Sequence, residues 1–301
     1  MVKLLKLIFI LLMTSSCIDS KPKLRIGVNP WPGYELLVTA KYFKKYEKHG
    51  LDVEIIEYGS LSDVRTAFIN NHIDVMASTL IEVITAQVEI KDPIEVLIAT
   101  DYSNGPDVIL SRVDNIKGKK IGCELGSLSM FMLGMALEKK GLSFEDVEVI
   151  PADQSNLEEL FLEDEIDAGV SYPPFSVKLL KKIKGLNVAF SSKEIPYNVI
   201  DVVSIRRDLI KKHPEIKQKM MKVWDEMLEE YDLEPDKVIP LMAKREKVSV
   251  SELKDSLEGI VFLSSKHQAK VPFQDVFNKI NDILFSQGQI KKRIEFNLFD
   301  N

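Results

Sequence analysis

Between Leu24 and Phe190 the apolar positions fall into short runs of two alternating kinds. Leu24–Val28 is an unbroken apolar run apart from Arg25 and Gly27, the pattern of a buried strand. Tyr34–Lys48 then places apolar residues at helical spacing and stops at His49-Gly50, a helix-end signal. Asp52–Glu57 reads as a strand, and Gly59-Ser60-Leu61-Ser62 opens a helix that runs to Asn71. Asp74–Ser78 is a strand, Leu80–Val88 a helix and Ile94–Thr100 a strand. Strands alternating with helices predict an α/β fold, a largely parallel sheet covered by helices.

After Asp107-Val108-Ile109-Leu110 the pattern restarts. Lys119–Cys123, Val147–Pro151, Asp167–Ser171 and Leu186–Phe190 are strand-like; Ser127–Lys140, Asn156–Leu162 and Phe175–Ile183 are helix-like. Part of the restart is literal. Ser62, Phe68, Ile73, Asp74 and Ser78 recur at the same spacing as Ser155, Phe161, Ile166, Asp167 and Ser171. Each first Ser is expected to cap a helix, each Phe to face a core and each Ile-Asp to open a strand. Two α/β lobes follow. The tail adds one returning strand, Val202–Ile205, and then long amphipathic segments from Asp208 to Phe285 that should pack on the first lobe. The expected division is 23–106 plus 205–301 for lobe 1 and 107–204 for lobe 2. The chain crosses twice, near Asp107–Arg112 and near Val199–Arg206, forming a hinge. A cleft between hinged lobes is a ligand site by default.

Composition narrows the picture. The 301 residues are 45% hydrophobic with a formal net charge of −6 and contain no long basic run, which argues against nucleic acid as a partner. Residues 1–22 stand apart: a basic start at Lys3 and Lys6, an apolar run Leu7–Met13, then Thr14-Ser15-Ser16-Cys17 and a polar linker. This is the layout of an export signal. Cys17 sits where a lipoprotein is acylated, although Thr14 replaces the usual Leu; an ordinary signal peptide with an incidental Cys is the alternative. The other cysteine, Cys123, lies in an apolar run and reads as a small core residue. Four scattered histidines and no cysteine cluster give no metal-ligand spacing, so neither metal nor cofactor is expected. No Gly-x-Ser-x-Gly elbow, phosphate loop or zinc motif is present, so catalysis is not expected either.

Candidate binding residues come from loops that follow strands, because ligands of open α/β sheets sit beyond the strands' carboxyl ends. In "VNPWPGYELL" (28–37), Pro30 and Pro32 restrict the backbone around Trp31. Trp31, Tyr34 and Glu35 are therefore candidates, the alternative for Trp31 being a plain cover on the sheet end. Ser60, and Gly126 with Ser127, stand at helix starts, where free N–H groups hold anions or where the serines simply cap. Ser78 and Thr79 end a strand; Tyr102 and Asp107 lie at the first crossing; Tyr172 follows the second copy's strand; Asp201 opens the returning strand. These stretches also carry Glu82, Asp101 and Glu124 and almost no Lys or Arg. An acid-and-aromatic lining favours an amine, amidine or aminopyrimidine.

Seven stretches in order, "IGVNPWPGYELL", "GSLSDVRTAF", "IDVMASTLIEVI", "DYSNGPDVIL", "IGCELGSLSMFML", "VSYPPF" and "IDVVSIRRDL", resemble the periplasmic solute-binding proteins of ABC importers. The similar branch is that of the nitrate, taurine, alkanesulfonate and thiamine-pyrimidine binders, over about residues 24–260. The resemblance implies two Rossmann-like lobes with a two-strand hinge, the type II periplasmic binding protein fold. It further implies a monomer that is exported, anchored to a membrane through Cys17, and delivers a small molecule to an ABC permease. The alternatives it leaves are a ligand-sensing input module for a membrane receptor, and a sulfonate-type anion held at the helix N-termini.

Overall fold

The computed structural model describes residues 22–268 and 271–295, and within them two separate sheets carry the chain. Cys17 and the export signal lie outside the described residues. The strands, in chain order, are β1 (Lys23–Val28), β2 (Asp52–Glu57), β3 (Val75–Thr79), β4 (Ile94–Ser103), β5 (Val108–Ser111) and β6 (Lys120–Cys123). They continue with β7 (Glu148–Pro151), β8 (Ala168–Ser171), β9 (Asn187–Ser191), β10 (Ile200–Arg206) and β11 (Ile260–Phe262). The first sheet has the order β11-β4-β10-β3-β1-β2, the second β7-β6-β8-β5-β9. In the first, β1 runs parallel to β2 and β3, and β10 runs antiparallel between β3 and β4. The second has the same plan: β6 is parallel to β7 and β8, and β5 is antiparallel to β8 and β9.

The internal repeat has a physical counterpart in each lobe. Asp74 accepts the Arg25 N–H at 3.0 Å through its side chain and donates its own N–H to the Arg25 carbonyl at 2.9 Å. Asp167 does the same to Lys120, at 3.0 and 2.8 Å. Each Asp thus ties the start of a strand to the strand beside it. Phe68, Phe161 and Ile73 are fully buried and Ile166 nearly so, as the spacing predicts. The capping expectation is corrected: Ser60 and Asn156, not Ser62 and Ser155, hold the N-cap positions. Ser60 has the extended backbone a cap needs, and its Oγ accepts the Asp63 N–H at 3.1 Å.

The helices of the alternating region are α1 (Glu35–Tyr42), α2 (Lys45–Lys48), α3 (Leu61–Ile69), α4 (Leu80–Glu89), α5 (Leu128–Lys139), α6 (Leu157–Leu162) and α7 (Phe175–Lys182). What reads as one helix over 34–48 is two, broken at Lys44, whose φ is 53°. Beyond the break Tyr46 turns inward, fully buried, and its OH donates to the Leu37 carbonyl at 2.9 Å. The tail forms α8 (Arg207–Lys212), α9 (Glu215–Leu233), α10 (Pro235–Glu246), α11 (Val250–Leu257), α12 (Ser265–Gln268) and α13 (Phe273–Ser286). Within that helical stretch β11 adds itself antiparallel to the edge of β4, an element the periodicity does not reveal.

All of β10 pairs in the first sheet, so residues 200–204, counted above with the second lobe, sit in the first. The two crossings are therefore 104–107 and 192–199. They are tied together: the hydroxyls of Ser103 and Ser192 are 2.7 Å apart, and Gly105 donates its N–H to Ser192 Oγ at 2.7 Å. Residues past α13 reach the second lobe, where Gln289 donates to the Met130 carbonyl on α5 at 3.2 Å.

Candidate functional site

The carboxyl ends of the two sheets face one another across a cleft that is closed almost completely. A cavity of about 10 Å³ remains between them, enough for about one water. Its first-lobe wall is made by Asn29, Trp31, Tyr34, Leu61, Thr79 and Asp201; Asp107 stands at the crossing, and Leu128 and Tyr172 close it from the second lobe. Trp31 is 4% exposed and meets Tyr172 edge-on, ring centroids 6.1 Å apart. Pro32 opens a short 3₁₀ turn after Trp31, which holds the indole over the strand ends. A polar chain crosses the cleft beside it. Asn29 Nδ2 lies 3.3 Å from the Tyr172 hydroxyl, which donates to Glu124 at 3.1 Å.

The hinge end is acidic because of strand register. Antiparallel pairing sets Asp201 on β10 opposite Thr79 on β3 and opposite Asp101 on β4. Tyr34 donates its hydroxyl to Asp201. Asp101 stands behind Trp31, with Gly33 between: a Cβ on Gly33 would lie 2.4 Å from Trp31 Nε1 and 2.5 Å from Asp101 Oδ2. Asp101, Asp107, Asp201, Glu82 and Glu124 are all at most 2% exposed. Burial pushes the carboxyls of Asp107 and Glu124 up to about 7. Burial also raises Asp101, and raises Asp201 well above the carboxylate range with the neighbouring Asp101 charge adding to it. The pair cannot hold two charges side by side without a cation.

Hydrogen-bond accounting shows what this wall wants. Asn29 Oδ1, both Asp101 oxygens, Asp107 Oδ2, Glu124 Oε2 and Asp201 Oδ2 are buried without a well-formed hydrogen bond. Thr100, Trp31 and Asp201 lie close enough to Asp101 to pull its pKa down somewhat, but none meets it in good geometry. The unpaired donors here are Trp31 Nε1 and the Thr100 hydroxyl, fewer than the acceptors. No Lys or Arg lines the cavity. Buried acceptors left unpaired cost about 1–3 kcal/mol each, more when charged. The arrangement is a surplus of acceptors around an aromatic wall.

Of the residues picked from sequence, Trp31, Tyr34, Thr79, Asp107, Tyr172 and Asp201 meet at the cavity. The others lie elsewhere. Glu35 is buried on the far side of the 3₁₀ turn, where Arg245 pairs with it and with Glu246. Ser60 and Ser127 are N-caps of α3 and α5. Ser78 donates its hydroxyl to the Thr79 carbonyl at 3.2 Å. Gly126, with φ 68°, makes the left-handed turn before Ser127. Tyr102 packs on Tyr197, centroids 4.9 Å apart, in an outer groove. Asn29, Leu61 and Leu128 were missed as lining residues; Asp101 and Glu124, noted among the acids of these stretches, stand behind the wall. The signal for Asn29 was present, since it begins the proline-bounded loop.

Curated relatives include a protein of Brucella abortus described as a binding protein, 27% identical over 187 residues, which are 60% of this chain and 59% of the relative. The alkanesulfonate-binding protein SsuA from Xanthomonas axonopodis pv. citri, solved bound to MOPS, superposes with a TM-score of 0.76 at 18% identity, over 91% of this chain and 96% of that one. The periplasmic nitrate-binding protein NrtA from Synechocystis PCC 6803 gives a TM-score of 0.71 at 13% identity, over 90% and 83%. These superpositions identify the fold as the type II periplasmic binding protein fold. The model of the NMT1-like family matches residues 19–237, most of both lobes. By that match the chain is a member of the NMT1-like family.

Proposed function

We propose that the protein is an extracytoplasmic solute receptor that closes its two lobes on a small nitrogen-bearing organic molecule, an amine, amidine or aminopyrimidine, and delivers it to an ABC import permease. Export and acylation at Cys17 would hold it at the membrane within reach of that partner. The observation that carries the ligand class is the surplus of unpaired buried acceptors around Trp31, with no Lys or Arg in the cavity wall. A ligand rich in N–H donors pairs Asp107 and Asp201, and a cationic one lets them ionise. An aromatic face adds about 0.5–2 kcal/mol for a cation.

The test is a thermal-shift and calorimetric panel of monoamines, amidines and aminopyrimidines set beside methanesulfonate and nitrate. Stabilisation by members of the first group alone is the expected result. Stabilisation by the anions alone would overturn the ligand class and return the site to the anion-binding alternative.

A further inference from the structure

The N-terminus of α5 faces the cavity through Leu128, and its first free N–H is already taken. Glu82, one turn into α4 in the first lobe, accepts the Leu128 N–H through Oε1 at 2.7 Å. Its Oε2 accepts the Thr79 N–H at 2.9 Å and the Thr79 hydroxyl at 2.6 Å. That hydroxyl in turn accepts the Ile81 N–H at 3.1 Å, so its proton is free to point at Glu82. Three donors on two oxygens is the pattern that holds a carboxylate ionised, and these bonds oppose the burial that raises its pKa. The side chain is fully buried. It lies where the positive ends of two helices, α4 and the 12-residue α5, converge. Both backbone partners, Thr79 and Leu128, are cavity-wall residues.

We infer that Glu82 is a specificity-determining residue: its carboxylate occupies the anion position offered by the N-termini of α4 and α5, and so makes the cleft reject anionic solutes. The inference rests on reading the cleft as the ligand site. A sulfonate held as the lobes close would have to displace Glu82 from the Leu128 N–H. It would also meet Asp107 and Asp201 with no cationic side chain in the wall. A carboxylate fixed by the chain itself needs no ordering on closure, so it outcompetes a free anion for these donors. In the opposite sense, its charge is felt at Asp107, Glu124 and both cavity tyrosines, and favours an incoming cation.

The experiment titrates methanesulfonate and, separately, the best-stabilising amine or amidine of the panel into wild type, Glu82→Ala and Glu82→Gln, with circular dichroism to check folding. Wild type is expected to give no methanesulfonate heat at millimolar concentrations. Glu82→Ala should gain methanesulfonate affinity by about tenfold or more, because it frees the helix N-termini. Glu82→Gln should gain less, since the amide oxygen can still cap Leu128 while the charge is gone. Folded Glu82→Ala with no gain would overturn the inference; if that variant does not fold, an unchanged Glu82→Gln overturns it. Methanesulfonate binding by wild type would overturn it as well. Failure of every nitrogen compound on wild type, with anion binding gained on Glu82→Ala, would sink the proposed ligand class and leave the role of Glu82 standing.

Discussion

Replacing Asp107 by Asn should stabilise the protein, increasingly so as pH rises, while impairing capture of a cation. Asp107 is 2% exposed, and burial raises its carboxyl from 3.8 to about 7. The folded state therefore holds a proton that the unfolded chain has released, between about pH 4 and pH 7. Stability contributed by this group falls as pH rises through that window and is level outside it. At about 1.4 kcal/mol per pH unit, the ceiling is about 2 kcal/mol at pH 5 and about 4 kcal/mol at pH 7 and above. Opening of the cleft rehydrates the carboxylate, so the measured value falls below the ceiling. Asn has the shape of the protonated acid and does not titrate. The melting temperature of Asp107→Asn should thus exceed wild type by little at pH 4.5 and by several degrees at pH 8, at about 2–4 °C per kcal/mol for a chain of this size. Calorimetry of both proteins at three pH values decides it. A difference that is flat with pH, or a variant less stable at pH 8, would refute the burial argument.

Three further outcomes are expected. Gly33→Ala forces a Cβ into Trp31 and Asp101; it should lower stability by about 1–3 kcal/mol in denaturant unfolding and weaken ligand binding more than tenfold. Arg245→Met strips the partner from buried Glu35 and should cost about 3–5 kcal/mol, whereas Glu246→Gln should be mild, because burial raises the Glu246 carboxyl to about 9 and it is already protonated at neutral pH. Ligand titration should change intrinsic fluorescence in wild type and hardly at all in Trp31→Phe, since Trp224 is fully buried on α9, its indole N–H bonded to the Leu263 carbonyl at 2.8 Å.

The two lobes were legible because each repeats a local pattern: a strand period, a helix period, and an Ile-Asp pair that clamps neighbouring strands. The aromatic wall was legible because prolines flank Trp31. Asp101 was not. The apolar run suggests a strand ending at Thr100, but β4 continues to Ser103, and only pairing with β10 sets Asp101 beside Asp201. Nothing near Asp101 in the chain encodes that. Tyr102 failed for a reason available from strand geometry: successive side chains point to opposite faces, so Asp101 and Tyr102 cannot both serve the cleft. Glu35 failed because its partner, Arg245, arrives from the far end of the chain. The serines at helix starts went to the commoner use, capping.

The insertion of one sheet within the other has a consequence for assembly. Every strand of the second sheet lies between Val108 and Ser191, so its pairings form over a continuous stretch of chain. The first sheet must wait for β10, which joins β4 about a hundred residues later, and then for β11. Loop-closure entropy makes such distant pairings late and slow. A chain emerging from its N-terminus can finish the inner lobe while β3 and β4 still expose unpaired edges, the surface most prone to misassociation. Asp201 rides on β10 and Arg245 follows it, so competence to bind comes at the close of folding. A molecule halted before that point has a complete second lobe and no receptor.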